Sequence, residues 1–249
     1  FVGTGGRMPA EAVTQMNRDF PAYFAEMESR GVRLCGRELD SPATAVTVRV
    51  RDGETLVTDG PFAETKEFVG GFDVLDCADL DEAIEVEAKS PVARFLPLEI
   101  RPFAAGLRAA EPLVSAFDRE DDSAGLPYLL TVWIGPTPAG PLDSPAVLRR
   151  SEAWRQKLEE DGVYVLGGAL GGPETATTLR VANGETRLSD GPFLGIEEFI
   201  ASVDVVRCPD RQRAVDLAAA HPFARYHAVE ARPFYSAAIH AQRQLESRE

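Results

Sequence analysis

The stretch Val57-Thr58-Asp59-Gly60-Pro61-Phe62 returns as Leu188-Ser189-Asp190-Gly191-Pro192-Phe193, an offset of 131 positions (190 − 59). Working outward, the same offset pairs Thr44-Ala45 with Thr175-Ala176, Arg49-Val50 with Arg180-Val181, and Gly53-Glu54-Thr55 with Gly184-Glu185-Thr186. It runs without a gap through Asp73/Asp204, Cys77/Cys208, Pro91/Pro222 and Ala93-Arg94/Ala224-Arg225. It ends at Glu99-Ile100-Arg101-Pro102-Phe103 and Glu230-Ala231-Arg232-Pro233-Phe234. Close to half of the aligned positions from Pro42 to Phe103 are identical. Self-similarity of that extent marks a duplicated structural unit. The expected division is a first repeat over 1–108, a linker over 109–125 containing the charged run Arg119-Glu120-Asp121-Asp122, a second repeat over 126–239, and a polar tail over 240–249.

In the second repeat the apolar, β-forming run Tyr128–Ile134 reads as a strand. Asp143 or Ser144 can cap a helix with Pro145 at its first position. Val147, Leu148, Ala153, Trp154 and Leu158 then recur at helical spacing until Gly162. Strands are expected at Val163–Gly167 and Thr177–Ala182, with Asn183-Gly184 turning a hairpin into Thr186–Leu188. A core strand over Phe199–Val206, a helix from Pro209 or Asp210 to Ala220, and a last strand over Ala228–Arg232 complete the unit. The first repeat carries helices over Met16–Met27 and within Asp79–Ala88. Only Phe1-Val2-Gly3 remains of its first strand, so comparison with the second repeat predicts that a few N-terminal residues are absent. The order β-α-β, hairpin, β-α-β is the ferredoxin-like pattern with an inserted hairpin, an α+β class. Helices on one sheet face leave the other face apolar, and two repeats can bury those faces against each other as a monomeric pseudo-dimer. Further homo-dimerisation stays open.

Composition narrows the partners. With 44% hydrophobic and 27% charged residues the chain can bury a core. A net charge of −14 and the lack of a dense Lys/Arg run argue against nucleic acid and anionic membranes. No stretch approaches the length of a membrane-spanning helix. Three cysteines without C-x-x-C spacing suit a reducing cytoplasm.

The quoted segments resemble the YCII-related family, in its DGPF-domain branch. The first copy carries the long form: Val57 to Phe62, then Ala63-Glu64-Thr65-Lys66-Glu67, Gly70-Gly71-Phe72, Asp79-Leu80-Asp81-Glu82-Ala83 and Glu99-Ile100-Arg101-Pro102. The resemblance extends over both halves. It implies a ferredoxin-like dimeric α+β barrel, here closed within one chain. It also implies a His–Asp pair as an acid/base site in the broader group, with the His on the first helix, and one branch similar to cofactor-free dechlorinating enzymes of hydroxylated aromatics. Some family members are encoded beside sigma factors. Neither first helix here carries a His.

Several residues could carry chemistry. Asp59 and Asp190 can serve as general bases if burial raises their pKa, or as Asx-type turn residues. Glu64, Thr65 and Lys66 form a candidate polar substrate loop that the second copy has lost, or a solvated charged loop. His221, His227 and His240 all lie in the second copy, with His221 in place of Ser90 and His227 in place of Leu96. A composite site of Asp59 or Asp190 with His221 or His227 is the catalytic candidate, and helix-end histidines are the alternative. Arg101 and Arg232 suit carboxylate or phenolate recognition, or ion pairs with Glu99 and Glu230. No Gly-rich phosphate loop and no His/Cys spacing suggests a cofactor or a metal. The expected function is cofactor-independent acid/base chemistry (isomerase, lyase or cyclase) on a small hydroxylated aromatic or polyketide-like molecule. The alternative is a non-catalytic small-molecule-binding or regulatory module.

Overall fold

The computed structural model describes residues 2–4, 9–62, 67–111, 113–123, 125–135, 144–193 and 198–237. Glu64, Thr65, Lys66 and His240 lie outside them. The first repeat contains β1 (Val2–Thr4), α1 (Ala10–Arg30), β2 (Arg33–Glu38), β3 (Val46–Arg51), β4 (Glu54–Asp59), β5 (Glu67–Val69), β6 (Gly71–Leu75), α2 (Leu80–Ala88) and β7 (Leu98–Ile100). The connection forms β8 (Arg108–Ala109) and α3 (Leu113–Asp118). The second repeat contains β9 (Leu126–Ile134), α4 (Pro145–Glu160), β10 (Tyr164–Ala169), β11 (Thr177–Ala182), β12 (Glu185–Asp190), β13 (Phe199–Cys208), α5 (Arg211–Ala220) and β14 (Ala228–Pro233).

Local chemistry explains most of these boundaries. Asp79 and Asp210, at equivalent positions, cap α2 and α5 by accepting the amide protons of Glu82 (2.9 Å) and Arg213 (2.8 Å). Asp52-Gly53 and Asn183-Gly184 both have positive φ at two successive residues, as a two-residue hairpin turn requires. Helix α1 ends at Gly31 in the left-handed conformation, but starts at Ala10, before the expected Met16. Its first turns are largely exposed and so carry no apolar stripe for periodicity to detect.

The sheets reveal an exchange. Seven strands pair in the order β4-β3-β14-β9-β13-β10-β8, so the hairpin β3–β4 of the first repeat extends the sheet of the second. The hairpin β11–β12 of the second repeat pairs in turn with β7 of the first. The remaining first-repeat strands pair as β1-β5 and β2-β6. All recorded pairings are antiparallel. Each repeat thus completes the other's sheet edge, which removes an exposed strand edge from both.

One core lies between the second repeat's sheet and its helices, built from Val46, Val48, Leu130, Val132, Leu158, Val206, Ala214 and Leu217 among others. A second core joins the repeats: Cys35, Leu39 and Val74 pack with Leu129, Val165, Val205 and Phe234. The connection seals that core with Val114 and Phe117 and is tied down by Arg33–Asp118 (2.8 Å) and Arg37–Asp122 (2.9 Å) ion pairs. The segment between the repeats is therefore part of the packed structure.

Candidate functional site

The two Asp-Gly-Pro-Phe turns form a reciprocal clasp. Gly60 takes φ +99° and Gly191 φ +92°, a region closed to most side chains. Thr47 donates its hydroxyl to the Gly60 carbonyl (3.0 Å), and Thr178 does the same to Gly191 (2.9 Å). The amide of Phe62 then donates to the Glu230 carboxylate (3.0 Å), and the amide of Phe193 to Glu99 (3.0 Å). Arg101 donates to the carbonyl of Ile200 (2.7 Å) and also to that of Gly171, and Arg232 donates to that of Val69. Ile200 and Val69 are themselves equivalent positions (200 − 69 = 131). The guanidinium groups of Arg49 and Arg180 cover the Phe62 and Phe193 rings at 5.2 and 5.0 Å. The last strand of each repeat thus holds the other repeat through the same pair of groups.

The aspartates of the motif stay outside the clasp. The Asp59 side chain is 88% exposed and pairs with Arg211, and Asp190 is likewise exposed at the end of β12. The burial that a general-base role asks for is not present at either. Glu230, by contrast, is buried, and desolvation pushes its pKa up against the pull of Arg232 and the Phe62 amide.

His221 meets a different carboxylate. Asp204, in the middle of β13, is fully buried and accepts from Arg155 Nε (2.6 Å) and Nη2 (3.2 Å) and from the Tyr164 hydroxyl (3.0 Å). His221 Nε2 lies 3.6 Å from its other oxygen. The amide of Phe223 donates to His221 Nδ1 (3.3 Å), which leaves the ring proton on Nε2, facing Asp204. Burial pushes the Asp204 carboxyl up, but the Arg155 charge, the nearby His221 ring and the hydrogen bonds from Arg155 hold it below the ordinary value. Trp154 closes over the His221 ring at 4.6 Å between centroids. A His–Asp pair does exist, then, with its His after α5 and sealed from solvent. His227 is also buried, beside Phe223 and Tyr226. Neither histidine is paired with Asp59 or Asp190.

The equivalent region of the first repeat is open. A cavity of about 510 Å³ is lined by Val69, Phe72, Asp73, Leu75, Cys77, Ala83, Glu87, Ser90 and residues 98–103 on the first-repeat side, and by Leu129, Thr131, Phe199, Ile200 and Val203 of the second. Asp73, the counterpart of Asp204, pairs with Arg33 Nε at 2.8 Å. Glu87, in the last turn of α2, is buried, and its pKa is pushed up to about 7, first by burial and then by the charge of Asp73. The Tyr23 hydroxyl lies 3.4 Å from it. Arg101 also lines the cavity. Burial lowers its pKa, and its Nε has no hydrogen-bond partner among the described residues. Arg232 has two such nitrogens but does not line this cavity. Among the described residues, no group of three His, Cys, Asp or Glu side chains could hold a metal ion.

Sequence reasoning singled out Arg101 and missed Asp204, Arg155, Tyr164 and Glu87. An aspartate inside the apolar run Val203–Val206, on the strand face turned toward the helices, was the available signal for the first three. Glu87 carried none, because its position on α2 reads as one more charge in an acidic helix.

Comparison with known proteins agrees with the duplication. Over 45 residues, 18% of this chain, the sequence is 60% identical to an uncharacterized protein of Rhizobium meliloti (strain 1021), and that match spans 36% of the relative's length. The YCII-related domain is found twice, at residues 7–104 and 136–237. Two matches at equivalent places, covering most of the sequence, make this chain a tandem member of the YCII-related family.

Proposed function

We propose that the chain is a single-site small-molecule-binding protein, taking a hydroxylated aromatic or polyketide-like acid between its two sheets beside Arg101. The observation that carries this reading is the asymmetric cavity, which Arg101 lines together with apolar walls from both repeats. A carboxylate or phenolate would pair with the Arg101 guanidinium, and Phe199, Ile200 and Val203 would hold the ring. The net charge of −14 argues against nucleic acid as the ligand. The sheets would close into a barrel around it, within a monomeric chain acting in the cytoplasm with its thiols free.

Arg232 provides the control, because it makes the same cross-repeat bond without itself lining the cavity. Calorimetric titration with a panel of hydroxybenzoates should show one site per chain. Arg101→Lys should weaken it by at least about tenfold, and Arg232→Lys should lower stability alike while sparing binding. Equal loss of affinity in both variants would contradict the reading.

Glu87 favours a second reading, cofactor-free acid/base chemistry on the same class of molecule. A carboxyl titrating near 7 is poised to give and take protons at neutral pH. On that reading Glu87→Gln removes turnover and keeps binding. Turnover that survives the change would exclude it.

A further inference from the structure

The two exchanged hairpins dock alike, but one of them lacks the side chain that the other uses to dock. The β3–β4 hairpin lies against the 3-10 turn Pro222–Arg225 of the second repeat, and the β11–β12 hairpin against the turn Pro91–Arg94 of the first. Arg51, the last residue of β3, reaches across the first of these contacts. Its Nη1 donates to the carbonyls of Ala224 (3.2 Å) and Val50 (2.8 Å), and its Nη2 donates to the carbonyl of Tyr226 (3.2 Å). Three backbone acceptors thus hold one planar guanidinium.

The same three positions recur in the other half at the 131-residue offset, as Ala93, Phe95 and Val181. The place of Arg51 is taken by Ala182 (182 − 51 = 131). The backbone around them matches. Tyr226 and Phe95 both have φ −117° and ψ −36°. The amides of Tyr226 and His227 donate to the Phe223 carbonyl, and those of Phe95 and Leu96 donate to that of Val92. The turn residues Asp52 and Gly53 have φ 53° and 83°, against 54° and 78° at Asn183 and Gly184. Arg51 pairs with Glu54 across its hairpin as Ala182 does with Glu185. What differs is the side chain.

A groove of about 380 Å³ lies at Ala182, lined by Arg94, Val181, Ala182, Asn183 and Gly184. Among the described residues, no side chain donates to the carbonyls of Ala93 and Phe95. Polar backbone groups of this kind gain from a donor wherever one can reach them. Arg94 is no obstacle to a cation. Its charge is taken by Asp19 at 2.8 Å. Its counterpart Arg225 stands between Ala224 and Tyr226, whose carbonyls hold Arg51 all the same. The net charge of −14 adds a general attraction for cations.

We propose that this groove is a guanidinium-binding site, taking a guanidino group on a flexible alkyl stem in the place that Arg51 holds in the other half. Arg51 uses two nitrogens to reach carbonyls two residues apart, a fork that a single ammonium does not copy. The groove shares no lining residue with the cavity beside Arg101, so the two sites stand or fall separately.

The test is a titration of the isotope-labelled chain with ethylguanidinium in the low millimolar range, followed by NMR. The amides of residues 93–96 and 182–184 should shift and saturate as one site. Ala182→Arg supplies the missing group from within and should weaken binding at least about tenfold. Arg51→Ala opens the equivalent place in the other half, so that residues 51–53 and 224–227 should respond as well and one site becomes two. Ethylammonium should bind at least about tenfold more weakly than ethylguanidinium. Shifts that do not saturate, or equal affinity in the unaltered chain and Ala182→Arg, would overturn the proposal, and that comparison decides alone if Arg51→Ala does not fold. The peptide acetyl-Gly-Arg-Gly-amide separates the two sources of a guanidinium. Tighter binding than ethylguanidinium points to an arginine of a partner protein, and equal or weaker binding to a free guanidino compound.

Discussion

The two aspartates Asp73 and Asp204 occupy the same place in the two repeats, yet they live in different surroundings. Asp204 is enclosed: a bidentate arginine, a tyrosine and a histidine converge on it, and β9 closes the sheet below. Asp73 keeps an arginine that is shared with Asp118, and it borders an open cavity. The lesson is that a repeated sequence need not build a repeated site. The side chains converging on Asp204, namely Arg155, Tyr164 and His221, have become Phe24, Arg33 and Ser90 around Asp73, while Ala218 in one repeat stands opposite Glu87 in the other.

That contrast can be broken most strongly at Asp204. Asp204→Ala leaves a buried guanidinium without its carboxylate and should cost about 3–5 kcal/mol in chemical denaturation. Asp73→Ala should cost below about 1 kcal/mol, since Arg33 keeps Asp118 and is partly solvated. The Asp204 penalty should shrink in acid. A depressed folded-state pKa means that the stabilisation is complete above about pH 4 and is lost as pH falls through the lower folded value.

Glu87 should behave in the opposite way. Its folded-state pKa is raised, so its protonated form suits the fold. Stability should be fullest below the unfolded value and fall as pH rises toward 7, by about 3 kcal/mol in all. Glu87→Gln should flatten that fall, and it should raise the urea midpoint at pH 8 while changing little near pH 4.

The clasp is common to both repeats and should respond symmetrically. Glu99→Gln and Glu230→Gln each weaken a charge-assisted bond to a phenylalanine amide, with an expected loss of about 1–2 kcal/mol in thermal unfolding. A large inequality would show that the two halves are not interlocked in the same way. Asp59→Ala and Asp190→Ala should change stability by no more than about 0.5 kcal/mol, because both carboxylates face solvent.

Much of the fold was legible because its signals are local. The Asn183-Gly184 turn, the helix start at Pro145 and the strand over Thr177–Ala182 sit where their chemistry placed them. The exchange of hairpins was not legible, since a repeat says that two hairpins exist and nothing about which sheet each one joins. The connection hid its helix in the same way: Leu113, Val114 and Phe117 are a short apolar set beside a conspicuous charged run. At the Asp-Gly-Pro-Phe motif the ionisable residue faces solvent, and a glycine conformation and a phenylalanine amide join the repeats. The partners, Thr47/Thr178 and Glu99/Glu230, were visible in the same register. Their joint repetition was the clue that the motif holds the repeats together.

Cys77 and Cys208 test the difference between the repeats with residues already present. Cys77 lines the open cavity and is partly exposed, while Cys208, at the equivalent position, is fully buried with its thiol pushed up to about 12 by burial. Cys35 is buried as well. Labelling of the folded chain with a small thiol reagent, read by mass spectrometry, should give one adduct per molecule at Cys77, with Cys208 reacting only on denaturation. Equal labelling of Cys77 and Cys208, or no labelling of Cys77, would contradict an open first repeat beside a sealed second one.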